Sequence, residues 1–146
     1  MRISDLIRAA GRARLRARAS YSGFKVGAAL ETRRGKIFGG CNVENSSYGL
    51  TVCAERVAIW KALSEGETEF RRLAVVCDTE DLTPPCGACR QILWEYCGDI
   101  EVVLANLRGV RARHRMKDLF PEPFDRRYLG RKKSASTKTP TQGKMR

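Results

Sequence analysis

No run of apolar residues in this 146-residue chain is long enough to cross a membrane as a helix. No secretory signal is visible either. Residues 1–19 alternate Arg with Ala and contain no continuous apolar segment. That segment is Arg-rich, like a mitochondrial presequence, but it has its own amphipathic face and a place in the fold. A cytoplasmic protein is the expectation. Histidine is confined to His114, set among Arg111, Arg113 and Arg115, where a solvent-facing residue on an edge strand is expected. Internal repeats are missing too. Acidic residues are scarce relative to basic ones, and the formal charge is +12.

That charge first suggests nucleic acid. Its distribution argues otherwise. Residues 1–18 hold six Arg and one Asp, and residues 125–146 hold eight Lys or Arg and one Asp. Residues 19–124 then carry 14 charges of each sign. The excess is terminal, and weak contact of the ends with polyanions is all it implies. The length suits one domain. Residues 1–129 read as that domain, and 130–146 as a basic tail with almost no apolar content, expected to be disordered.

Ile3, Leu6, Ile7, Ala10, Ala13 and Ala17 recur at helical spacing, with Arg8, Arg12 and Arg16 opposite. Arg14 falls near the apolar stripe and would have to snorkel. Tyr21-Ser22-Gly23 should break this helix. Strands are predicted over Phe24–Leu30 and Lys36–Cys41, joined by a turn at Arg33-Arg34-Gly35. A helix should run from Cys53 to Glu65, a buried strand over Arg72–Cys77, and a second helix from Cys86 to Tyr96. Strands over Glu101–Ala105 and Val110–His114 and a short helix near Met116–Phe120 follow. Strand-helix-strand units imply a partly parallel sheet with helices on both faces.

Six cysteines in such a chain favour free thiols or metal over disulfides. Cys86-Gly87-Ala88-Cys89 alone fits a redox pair, a zinc half-site or chance. Residues three apart share a helix face, so Cys86 and Cys89 can share one ligand. Cys53 opens the other helix two residues before Glu55. Mid-helix the two would diverge; at an opening turn both reach the space ahead of it. Two helix N-termini aimed at one spot favour thiolates there. Three thiolates leave a tetrahedral zinc one position short, as catalytic sites do. A structural zinc site, inert buried thiols and a redox pair are the alternatives. Cys41, Cys77 and Cys97 read as small buried apolar residues. Trp60 and Leu63 face the core or a subunit contact.

Cys53-Ala54-Glu55-Arg56, Pro85-Cys86-Gly87-Ala88-Cys89-Arg90-Gln91, Tyr21 to Leu30 and Gly40-Cys41-Asn42-Val43-Glu44-Asn45 together resemble the small homotetrameric zinc-dependent cytidine deaminases. The resemblance spans about residues 21–124. It implies a three-layer α-β-α sandwich around a mixed five-stranded sheet. It implies one zinc per subunit on Cys53, Cys86 and Cys89, and a tetramer whose pockets are shared between subunits. Glu55 would move protons between water, N3 of cytosine and the leaving amine. Its bland reading is an acid favoured by a helix dipole. Arg56 would donate hydrogen bonds to Cys53 and Cys86, offsetting the surplus thiolate charge. Asn42 and Glu44 would hold the ribose hydroxyls, and a carboxylate there disfavours a nearby phosphate. Phe24 would pack on the pyrimidine, and the backbones of Ala54 and Cys86 would read the base edge. Tyr48 and Phe124 would complete the pocket from neighbouring subunits. The implied reaction is deamination of cytidine and deoxycytidine in pyrimidine salvage. The rivals are a deaminase of a nucleoside antibiotic, deoxynucleotide or polynucleotide, and a non-catalytic zinc-stabilised interaction module.

Overall fold

The computed structural model describes residues 1–130. The expected disordered tail lies, from residue 131 onward, outside the described residues. Five strands form one mixed sheet in the order β2-β1-β3-β4-β5. They are β1 (Val26–Thr32), β2 (Ile37–Cys41), β3 (Phe70–Cys77), β4 (Glu101–Asn106) and β5 (Arg111–Arg115). Only β3 and β4 run parallel, linked by a crossover through α3 (Gly87–Cys97). The other neighbours pair antiparallel.

The two faces of the sheet are read from alternate residues along each strand. Ala29, Ala74, Val76, Val103 and Ala105 face α1 (Ile3–Arg14), which inserts Leu6 and Ala10 among them. Leu30, Leu73, Val75, Val102 and Leu104 face α2 (Ala54–Ser64) and α3. The three layers expected of the fold are therefore present. Fully burying Leu30, Ile59, Leu73 and Leu93 contributes about 1.5–3 kcal/mol each.

Two glycines set how closely the layers approach. A Cβ on Gly27 would lie 2.0 Å from the Ala10 carbonyl oxygen of α1. A Cβ on Gly40 would lie 2.4 Å from the Ala54 carbonyl oxygen and 2.6 Å from the Ala58 nitrogen of α2. Each helix thus rests on bare strand backbone, which only glycine permits.

Several boundaries shift from the sequence expectation. α1 stops at Arg14, well before Tyr21. Arg18 instead pairs with the loop after β2: its N–H donates to the Asn42 carbonyl, and its carbonyl accepts from Glu44 N–H. Arg14 is half-buried, as a snorkelling side chain would be, and its Nε donates to the Lys25 carbonyl. β1 begins at Val26 rather than Phe24, because the Asn42 side chain takes the place of ladder bonds there. Its Oδ1 accepts from Val26 N–H at 2.9 Å and its Nδ2 donates to the Phe24 carbonyl at 2.8 Å. His114 is half-buried rather than solvent-facing, since it pairs opposite Val102 on the α2–α3 side of the sheet. Trp60 is exposed and so is not a core residue, whereas Leu63 packs against the core. Cys77 is buried as expected; Cys41 and Cys97 are half-buried.

Candidate active site

Cys53 and Cys86 occupy matching places. Each is the residue that caps a helix, α2 and α3 respectively, and each has extended backbone. Neither thiol bonds back to its own helix, so both are free to point ahead of it. Cys89 follows in the first turn of α3. The three sulfurs lie within 4.8 Å of one another, and Cys53 and Cys86 are 3.9 Å apart. Zinc–sulfur bonds of about 2.3 Å in tetrahedral geometry place two sulfurs about 3.8 Å apart. The Cys53–Cys86 spacing matches that value, so the cluster could hold a zinc ion, and the spacing is too long for a disulfide. His114 is not part of it.

The charged groups of the site act strongly on one another. The Cys53 thiol is lowered to about 5, first by its hydrogen bond with Cys89 and then by the Arg56 guanidinium, against the effect of burial. Cys89 is correspondingly pushed up, by the same bond and by burial. Glu55 is buried on α2, and burial raises its carboxyl above the ordinary value, with Cys53 adding to the rise. Cys77 and Cys97 are raised by burial to about 11 and about 12, which leaves them inert thiols.

A pocket of about 320 Å³ opens over Cys53, Glu55 and Cys86, and Phe24, Asn42 and Glu44 line its walls. The family model described as "Cytidine and deoxycytidylate deaminase zinc-binding region" matches residues 1–105.

The chain belongs to this deaminase family.

Its relatives agree. A protein of Sporosarcina psychrophila named cytidine deaminase is 46% identical over 88% of this chain and 96% of its own length. The crystal structure of a cytidine deaminase from Burkholderia pseudomallei superposes with a TM-score of 0.83 at 50% identity, covering 85% of this chain and all of that one. A blasticidin-S deaminase of Bacillus cereus is 32% identical over 69% of this chain and 77% of its own length.

Within the deaminase site, Arg56 donates from its terminal nitrogen to Cys53 Sγ at 3.2 Å. No bond from Arg56 to Cys86 is formed among the described residues, and its Nε is buried without a partner. Glu44 accepts from the backbone N–H groups of Tyr21 and Ser22 and from the Ser22 hydroxyl. Those bonds, the hydroxyl's first, hold it below the ordinary carboxylate value. Phe24 is part-exposed at the pocket wall and is not a core residue. Ala54 is buried beside it. Tyr48 and Phe124 lie outside this pocket. Tyr48 is 75% exposed on a 3-10 turn and touches Tyr21 edge-on; Phe124 is 59% exposed and stacks on Tyr128.

Three supporting residues carried no assigned role in the sequence. Arg90 donates to the Pro85 and Leu119 carbonyls at 2.7 and 2.6 Å, fixing the segment that presents Cys86. Asn106 donates to the Thr79 and Glu80 carbonyls of the preceding loop. Ser22 buttresses Glu44. Arg90 and Ser22 stood within the quoted motifs without a role, and Asn106 left a local sign, a polar amide closing an apolar strand.

Proposed function

We propose that this chain hydrolytically deaminates cytidine and deoxycytidine to uridine and deoxyuridine, with release of ammonia, in pyrimidine salvage. The observation that carries this reading is one buried carboxyl, Glu55, beside three thiols at the base of a pocket walled by Asn42 and Glu44. Zinc on Cys53, Cys86 and Cys89 supplies a Lewis acid that brings the pKa of water toward neutral. Glu55 accepts a proton from the attacking water, delivers it to N3, and passes the next to the leaving amine at C4. A carboxyl with a raised pKa suits both giving and taking. Arg56 offsets part of the negative charge that three thiolates bring to one cation. Glu44, held as an anion by Ser22, accepts from a ribose hydroxyl and repels a phosphate. Asn42 has both ends of its amide engaged with backbone, so it positions the wall as well as offering spare hydrogen-bonding capacity. Phe24 packs on the base.

In this reading residues 1–129 are one catalytic domain, the protein works in the cytoplasm, and four copies assemble so that Tyr48 and Phe124 close neighbouring pockets. The test is ultraviolet absorbance with zinc-loaded protein. Cytidine and deoxycytidine lose absorbance in the cytosine band, and Glu55→Gln abolishes the loss while retaining zinc. Turnover surviving in that variant breaks the mechanism. Turnover of blasticidin S or of a polynucleotide in place of cytidine replaces the substrate assignment.

A further inference from the structure

A second hollow lies at the free edge of the sheet, where α1 and α2 flank β2. It encloses about 350 Å³ and shares no lining residue with the deaminase pocket. Its floor is apolar, from Ala9, Ala13, Ile37 and Val57. Its rim carries three cations, Arg12 from α1, Arg16 from the turn after it and Lys61 from α2, all exposed. No carboxylate lines it. Among the described residues no acid pairs with any of the three.

Unpaired cations occur elsewhere on the surface, but here three of them line one hollow, whereas several others are neutralised by neighbouring acids. Arg2 and Arg8 share Asp5, Arg113 pairs with Glu101, and Arg115 with Asp99. Arg12 lies in the last turn of α1 and Arg16 in the turn that follows it, and both line the hollow with no carboxylate between them. Lys61 is not free to swing away, because its Nζ is held on the Gly39 carbonyl at the strand edge. The N–H of a strand residue points the same way as its carbonyl, so Gly39 also offers a backbone donor to the hollow. Two guanidinium forks, a fixed ammonium and an N–H beside an apolar floor suit an anion with an apolar body.

We propose that this hollow binds a nucleoside phosphate, its phosphates on Arg12, Arg16 and Lys61 and its base or sugar on the apolar floor. The site is separate from the deaminase pocket, and its occupancy is measured without turnover, so it stands or falls independently of the assigned reaction.

The experiment is equilibrium dialysis of the full, zinc-loaded chain against UTP, UMP, inorganic pyrophosphate and cytidine at physiological salt. The parent binds UTP at this site, and Arg12→Ala/Arg16→Ala weakens it at least tenfold while leaving cytidine turnover and melting temperature unchanged. Both tail and deaminase site remain in that double variant, so they serve as internal controls. UTP binding equal in parent and double variant overturns the proposal and assigns the binding to the basic tail. Pyrophosphate binding as tightly as UTP overturns the role of the apolar floor. No binding by the parent, with sedimentation altered in the double variant, overturns it in favour of contact with a second copy.

Discussion

Arg56 shows how much one side chain can decide at this site. Three thiolates on one divalent cation carry a surplus negative charge, which weakens the pull on bound water. The guanidinium bonded to Cys53 at 3.2 Å withdraws part of that charge. Its Nε, buried without a partner, shows that the side chain is held there at some desolvation cost. Arg56→Ala should keep the fold and lose roughly 10–100-fold in zinc affinity or turnover. Zinc titration with a competing chelator and kcat measured at saturating zinc separate the two effects; no change in either removes Arg56 from the mechanism. Arg56→Lys restores the charge without the planar fork, and should recover only part of the loss. Cys53, Glu55 and Arg56 were legible as candidates because they neighbour one another at a helix opening, and Cys86 and Cys89 because they share a helix face three residues apart; that the two groups meet was not.

At the scale of elements, the site depends on where α2 begins, and Gly40 sets that. Adding a methyl group at Gly40 drives it against the Ala54 carbonyl and the Ala58 nitrogen, both backbone atoms that cannot rotate away. The opening turn of α2 must then retreat, taking Cys53 and Glu55 with it. A displacement of about 1 Å can cost roughly 100-fold in rate. Gly40→Ala should therefore lower kcat by that order, with a smaller effect on KM. Gly39→Ala is the control, since its Cβ would meet Ala13 Cβ at 3.4 Å, an ordinary contact. Equal losses in the two variants would show a general loss of strand packing instead. The sequence marks Gly40 only as one of two adjacent glycines in a strand. Which of them touches a helix follows from the pleat and from the packing of α2, neither of which is local.

For the whole molecule, the proposed tetramer decides what covers the pocket. Tyr48 and Phe124 are large, exposed, and away from the pocket within one chain. Exposed aromatic side chains of this size are usual at interfaces. Sedimentation should give a tetramer, and Phe124→Ala should raise KM and reduce turnover by tenfold or more. Mixing Glu55→Gln subunits with Phe124→Ala subunits tests sharing directly. Assembled together, a chain with Glu55 can borrow Phe124 from its neighbour, and activity should rise above the average of the two. No recovery after subunit exchange would show that each chain completes its own site.

By itself the sequence determined the order of elements and singled out Cys53, Cys86 and Cys89, Glu55 and Arg56 as the candidates that the structure brings to one site. Those features rest on helical and strand periodicity and on residues within a few positions of one another, so their geometry is set locally. Tertiary structure decided the rest. It brought two helix N-termini 33 residues apart in sequence to within 3.9 Å at their thiols. It spent the Asn42 amide on β1, and it set Arg90 and Asn106 to brace the loops behind Cys86. It also gathered Arg12, Arg16 and Lys61 around one hollow. Contacts of that kind depend on how layers stack and where strand ends meet, and no window of sequence contains them.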